Sequence, residues 1–243
     1  MSIGAVHSYD MSIGVDGPGS RFVVFLAGCP LRCLYCHSPD TWQQRNGRPM
    51  SVSSVMAEIQ RYERFIAVAG GGVTISGGEP LQQHVFTQSL LQACHTRGLH
   101  TALDTSGFLG EKANEELLDA TDLVLLDIKS FDQATYQQVT QTGHIAPTLR
   151  FARRLAERGT PMWIRFVLVP GLTDEPSNIN RLADFVGSLR TVERVEVLAF
   201  HRLGAHKYAN LGLPFPLAEV VPPTGSQVEL AREIFRERGL VTY

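Results

Sequence analysis

The sequence predicts an α/β protein built on a parallel sheet, and three features predict it. Six short β-branched or aromatic runs recur along the 243 residues, segments with apolar residues three and four apart lie between them, and the runs are apolar nearly throughout. Strands covered on both faces read as continuous apolar runs, whereas strands with one wet face alternate. Parallel neighbours need a crossover, and a right-handed crossover lays its helix on the sheet. Six such units make either a doubly wound sheet or an incomplete (β/α) barrel, and both put ligands at the C-terminal ends of strands.

The strand runs are residues 22–27, 73–76, 100–104, 123–128, 162–169 and 195–200. Val52, Val55, Met56, Ile59, Tyr62 and Ile66 mark the first apolar helix face, and Phe86, Leu90, Ala93 and Cys94 mark the second. Gly98 follows that second helix and Gly159 follows a helix over 147–158, each at the C′ position where a left-handed residue costs least. Pro147 stands near a helix start, where its missing N–H is harmless. Ile179, Leu182, Val186 and Leu189 form a later face, and Leu230, Ala231, Ile234 and Phe235 a last one. No low-complexity linker intervenes, so residues 1–243 read as one domain, with an N-terminal extension over 1–20 and a C-terminal loop and helix over 203–243.

Composition excludes several classes. With 44% hydrophobic and 19% charged residues the chain is an ordinary globular one, not a disordered one. Its apolar run at 22–27 is far short of the roughly 20 residues of a spanning helix, and no basic segment precedes it, so neither membrane nor export is expected. A formal net charge of −2, with both signs scattered, offers no broad surface for nucleic acid. Cys29, Cys33 and Cys36 crowd into eight residues while Cys94 stands alone. Near neighbours rarely meet disulfide geometry, and a reducing cytoplasm is the expected setting.

Polar or unusual residues follow the strand runs directly. Gly28-Cys29 follows the first, Gly77-Gly78-Glu79-Pro80 the second and Asp104-Thr105-Ser106-Gly107 the third. The fourth ends in Asp127-Ile128-Lys129, the fifth carries Arg165 and the sixth ends in Phe200-His201. Each alone is an ordinary turn or cap; six together gather one constellation. Among them Cys29-Pro-Leu-Arg-Cys33-Leu-Tyr-Cys36 carries the sharpest chemistry. Three thiolates on a short loop suit one face of a [4Fe–4S] cluster, leaving one iron open to a substrate or cofactor. The competing readings are structural zinc, for which the adjacent His37 completes a tetrahedron poorly, and a catalytic zinc with three Cys ligands and water. Cys94 sits on an apolar helix face as a small hydrophobe.

The CxxxCxxC spacing after the first strand, Tyr35 before the last cysteine and the GGE turn after the second strand resemble the radical S-adenosylmethionine (SAM) enzymes. The DGPGSR run ending at Arg21, YCH at 35–37, GGGVTISGGEP at 70–80, LDTSG at 103–107, DIK at 127–129, WIRFVLVPG at 163–171 and GAHKY at 204–208 resemble, within them, the activases of pyruvate formate-lyase, a glycyl-radical enzyme. With only Cys94 to spare, the chain is similar to the short, single-cluster branch that lacks an inserted ferredoxin-like domain.

The resemblance implies an incomplete (β/α)6 barrel with outer helices. It implies a cluster held by Cys29, Cys33 and Cys36, reductive cleavage of SAM, and hydrogen abstraction from a backbone glycine of the partner. A low-potential electron donor such as flavodoxin is implied too. Gly78, beside Gly77, would meet the methionine end of SAM, with a plain Gly-rich turn as the alternative. Asp127 and Lys129 flank Ile128, so alternation puts both polar side chains on one face, where they suit a zwitterion; a surface ion pair is the alternative. Tyr35, Cys36, His37 and His201 complete the implied SAM contacts, Tyr35 offering a stacking face, with a structural histidine as the other reading of His201. Asp104, Thr105 and Asp127 would bind a monovalent cation, unless Asp104 and Thr105 cap a helix. Asp16 and Arg165 are the candidates for gripping the glycine loop. The rival activities are a radical SAM activase of another glycyl-radical enzyme and a non-catalytic zinc or iron–sulfur module.

Overall fold

The computed structural model describes residues 2–243, which form two compact units. The first comprises residues 2–30, 41–105 and 109–125; the second comprises residues 31–40, 106–108 and 126–243.

In the first unit, β1 (Ile3–Ile13) turns back into β2 (Ser20–Leu26), and β3 (Arg48–Ser51) pairs with the outer side of β1. Two helices, α1 (Val52–Gln60) and α2 (Glu63–Val68), lead to β4 (Gly72–Gly77); α3 (His84–Thr96) leads to β5 (His100–Thr105), and α4 (Glu115–Asp119) follows. The strand order is β3-β1-β2-β4-β5, with β2, β4 and β5 parallel. Phe22, Val23, Val24 and Leu26 of β2 are all buried, so both faces are covered, as the continuous apolar run requires. α3 buries Phe86, Leu90, Leu91 and Cys94, and each such aliphatic or aromatic side chain contributes about 1.5–3 kcal/mol by leaving water.

The apolar face read as one helix over 52–66 is divided between α1 and α2. The chain tightens at Arg61, whose N–H is shared between the carbonyls of Glu58 and Ile59, and Tyr62 turns its ring to Phe22 at 5.4 Å. Residues 1–20, read as an extension, hold the strand β1. Gln83 clasps it, accepting from Ala5 N–H at 2.7 Å and donating to the carbonyls of Ala5 and Ala27 at 3.0 and 2.8 Å.

β6 (Leu123–Asp127) carries the chain into the second unit. There α5 (Gln133–Thr140) and α6 (Ala146–Arg158) precede β7 (Met162–Leu168), and α7 (Pro176–Gly187) connects it to β8 (Val192–Ala199), parallel to β7. α8 (Ala205–Asn210) and α9 (Gly225–Arg236) follow. α6 buries Thr148, Phe151, Ala152 and Leu155 and stops at Gly159, whose φ is 83°. The end of the chain returns to β8, Val195 donating to Val241 and Val197 to Tyr243. Tyr35, Val139, Val169, Phe200 and Leu217 form an apolar cluster in this unit.

The six strand runs of the sequence correspond to β2, β4, β5, β6, β7 and β8. Among the described residues no helix is long and apolar enough to cross a membrane.

Candidate functional site

The ends of β2, β4 and β5 are knitted together in the first unit. Gly28, just before Cys29, donates to Thr41 at 2.7 Å, and its carbonyl accepts from Glu79 N–H at 2.8 Å; Gly78 donates to Leu26 at 2.8 Å. Cys29 N–H reaches the carbonyl of Trp42 at 3.0 Å. The backbone of Gly78 lies so close that a Cβ would stand 2.5 Å from the Gly28 carbonyl oxygen and 3.0 Å from that of Thr41. Glycine is therefore a packing requirement of the GGE turn, which fixes the approach to Cys29. Glu79 is buried, its Oε1 accepting from Leu81 N–H at 3.2 Å and from Thr105 Oγ1 at 2.6 Å. Asp104 accepts from Ser76 Oγ at 2.7 Å. Asp104 and Thr105 thus bond to β4 and the turn after it, and the cap of α4 is Asn114.

Asp16 precedes β2, at the opposite end of that strand from Cys29. Its carbonyl accepts from Thr74 Oγ1 at 2.5 Å, and Thr74 in turn accepts from Arg21 Nε at 3.0 Å. Arg21 is fully buried, with Nη2 donating to Val73 at 2.6 Å and Nη1 lying 3.0 Å from His100 Nδ1. Burial pulls the guanidinium down to about 10, partly offset by Asp122 and Asp16. The DGPGSR run is thereby anchored on β4 and β5, a role that spacing alone did not reveal.

The second unit holds Cys33, Tyr35, Cys36, His37, Asp127, Ile128, Lys129, Arg165 and His201. Lys129 donates to Asp127 Oδ2, and the pair is largely buried, with side-chain exposures of 14% and 18%. Alternation at the end of β6 puts the two on one face, and the surface-pair alternative does not describe it. The second carboxylate oxygen, Asp127 Oδ1, is buried with no hydrogen-bond partner among the described residues. Lys129 Nζ lies 5.5 Å from the centre of the Tyr35 ring. Burial lowers the affinity of Lys129 for its proton, but Asp127, Tyr35 and Cys33 together outweigh it and hold the ammonium well above its usual range. Burial pushes the Cys33 thiol up to about 12 against the pull of Lys129.

Tyr35 is packed in the apolar cluster, its ring committed to the core and to Lys129. Ile128 is buried and donates its N–H to the carbonyl of Arg165 at 3.0 Å. The rings of His37 and His201 meet edge-on at 5.2 Å, and burial, then His201 and Lys207, lowers His37 below its ordinary range. Arg165 bonds through Nε to Glu196 Oε2 at 2.9 Å.

Two residues missed from sequence organise this unit. Asn178, at the start of α7, accepts through Oδ1 from Ser130 Oγ and from the N–H groups of Phe131 and Asp132, fixing the loop just after Lys129. Glu196 binds Arg165 and, through Oε1, Arg194. The in-register pairing of Arg165 with Glu196 becomes visible only once β7 and β8 are adjacent.

Comparison with known proteins shows the family. The Radical SAM superfamily model matches residues 23–183. The pyruvate formate-lyase 1-activating enzyme of Escherichia coli K12 is 40% identical over 239 residues, covering 98% of this chain and 97% of that one. The pyruvate formate-lyase-activating enzyme of Staphylococcus epidermidis is 43% identical over 237 residues, covering 94% and 93%. Among solved structures, a domain of pyruvate-formate lyase-activating enzyme from Bacteroides vulgatus matches with a TM-score of 0.59 and 28% identity over 71% of this chain and 98% of that one. A radical SAM methyltransferase from Sphaerobacter thermophilus shares the fold with a TM-score of 0.67, 18% identity and coverage of 97% and 72%. The chain belongs to the Radical SAM superfamily, in the branch of the pyruvate formate-lyase activating enzymes.

Proposed function

We propose that this chain activates pyruvate formate-lyase by radical SAM chemistry, with Cys29, Cys33 and Cys36 as ligands of a [4Fe–4S] cluster. The observation that carries the cofactor-facing assignment is the buried Asp127–Lys129 pair near Cys33, whose Oδ1 is left without a partner. A buried, unsatisfied carboxylate oxygen is a cost that a purely structural pair does not explain. It suits the zwitterionic end of SAM, whose ammonium needs an acceptor and whose carboxylate needs a donor. A cluster held by these cysteines would supply the electron for reductive cleavage of SAM, the chemistry by which a backbone glycine of the partner would lose a hydrogen atom.

The work of the chain is to bind, orient and exclude. Cys33 must give up the proton that burial makes it hold, so cluster assembly releases protons. Gly78 lets main chain approach the methionine end of SAM, and Asp127 and Lys129 answer its two charges. Cys36, His37 and His201 are the residues that would meet the nucleoside, while the buried Tyr35 and Ile128 would support that side of the site from behind. Asp104 and Thr105 supply hard oxygen donors to a monovalent cation. Arg165 is the remaining candidate for contact with the glycine loop, since Asp16 precedes β2 while the cysteines follow it; a low-potential carrier such as flavodoxin delivers the electron, and the setting is the cytoplasm.

Anaerobic protein reconstituted with iron and sulfide should be brown, hold about four irons per chain and release methionine from SAM on reduction. With pyruvate formate-lyase present, EPR should show a glycyl radical on the partner. Colourless protein carrying stoichiometric zinc overturns the assignment, and a radical formed on another glycyl-radical protein but not on formate-lyase moves it to a different partner.

A further inference from the structure

The GAHKY motif at 204–208 has no task in the function proposed above, and Lys207 within it is one of only three lysines in the chain. Its residues meet the segment that follows the cysteines. Gly204 has φ −76°, an ordinary backbone for any residue, so what marks the position is the close approach of its neighbours and not its conformation. A Cβ would stand 3.0 Å from the carbonyl oxygen of His37 and 3.3 Å from that of Cys36. Lys207 brings Nζ to 3.4 Å from Ser38 Oγ and 3.3 Å from Asp40 Oδ1. Tyr208 is buried and its ring meets Phe215 edge-on at 5.1 Å; burial, then the nearby Cys36 and Cys33, raises its phenol above the usual range. Positions 204, 207 and 208 stand three and four apart, so one turn of helix presents all of them on one side.

The cysteine loop carries little regular structure to hold it. Its first half is tied to α5, Arg32 donating to Thr140 at 2.8 Å and Leu34 to Val139 at 2.9 Å. The stretch after Cys36 meets α8. We propose that Lys207 is a positioning residue for the cysteine loop: by holding Ser38 and Asp40 it keeps the segment after Cys36 in its ligating conformation and so sets how long the cluster stays bound. This rests on the cluster assignment made above.

Lys207→Met and Lys207→Arg are compared with the wild type in two states. In the apo protein, hydrogen exchange of residues 31–40 quickens about three- to fivefold in Lys207→Met, the scale of a partly exposed ion pair, and returns toward wild type in Lys207→Arg. Unchanged exchange in α9 controls for folding. In anaerobic, reconstituted protein, iron passes to a chelator severalfold faster in Lys207→Met, while SAM cleavage per remaining cluster stays at the wild-type level. Wild-type exchange and iron release in Lys207→Met overturn the proposal. So does loss of cleavage per cluster with unchanged iron retention, which would make Lys207 a SAM contact. A wild-type protein that takes up no iron sinks the cluster assignment, and this inference with it.

Discussion

Glu196→Gln tests how the second unit handles buried charge. Glu196 Oε2 accepts from Arg165 Nε at 2.9 Å, with both side chains 8% exposed, while Oε1 accepts from Arg194. The Arg194 guanidinium in turn lies over the Trp163 ring at 3.2 Å from its centre and over Tyr243 at 4.6 Å. One carboxylate therefore neutralises two guanidinium groups. Glutamine keeps the shape and can still accept, so no cavity opens, but the negative charge that Arg165 and Arg194 share is removed. Breaking a buried pair by removing one partner costs about 3–5 kcal/mol; glutamine's remaining hydrogen bonding places this change near the lower end, about 3 kcal/mol. With a urea m-value of about 2 kcal/mol/M, the unfolding midpoint should fall by about 1.5 M. Urea titrations followed by Trp fluorescence measure this, because the Trp163 indole sits in the network and donates to Glu193 at 2.9 Å. A midpoint shift below about 0.5 M would refute the reasoning, since it would mean water already solvates the pair as it does at a surface.

Three further predictions follow from the same geometry. Asp127→Asn should weaken SAM binding to reconstituted protein tenfold or more, the worth of a charge-assisted hydrogen bond of about 1.5–3 kcal/mol; calorimetric titration showing unchanged affinity would remove Asp127 from the site. Gly78→Ala forces a Cβ to within 2.5 Å of the Gly28 carbonyl, so the segment before Cys29 must shift, costing about 1–3 kcal/mol and lowering iron content; wild-type stability and iron content would contradict that packing. Burial raises Cys94 from 9.0 to about 12, so the folded chain keeps a proton that the unfolded chain gives up. The stability it contributes is intact below pH 9 and is lost as pH climbs toward 12, at about 1.4 kcal/mol per unit. Between pH 8 and 10.5, wild type should therefore lose about 2 kcal/mol more than Cys94→Ala, and parallel stability curves would refute it.

The inner strands of the parallel sheet were legible because they are buried on both faces, as β2, β4 and β7 are along most of their length, which writes a continuous apolar run into the chain. β1 and α5 left weaker marks. The run from Ile3 to Ile13 includes His7, Ser8 and Asp10 and is mostly half-buried, so neither continuity nor clean alternation announces it. α5 is rich in glutamine and threonine, and its only clear signals are Asp132 at the N-cap and the spacing of Tyr136, Val139 and Thr140. Asp127 and Lys129 were found because a two-residue separation at a strand end implies a shared face, and Lys129 stood out in a chain with three lysines. Arg21, Glu196 and Asn178 were not, since each looks like a surface residue until its partners, far along the chain, are brought beside it.

By itself, then, the sequence determined the parallel α/β class, the positions of six strands along the chain and the types of residue standing at their ends. Those follow from local periodicity and from covalent spacing, which need no knowledge of what packs where. Tertiary structure alone decided that Gly78 is glycine because the Gly28 carbonyl fills the place of its side chain. It also decided that Arg21 is locked between β4 and β5, and that Asp127 keeps one oxygen buried and unspent. Burial and counter-charge are properties of neighbours, and neighbours exist only once the chain has folded.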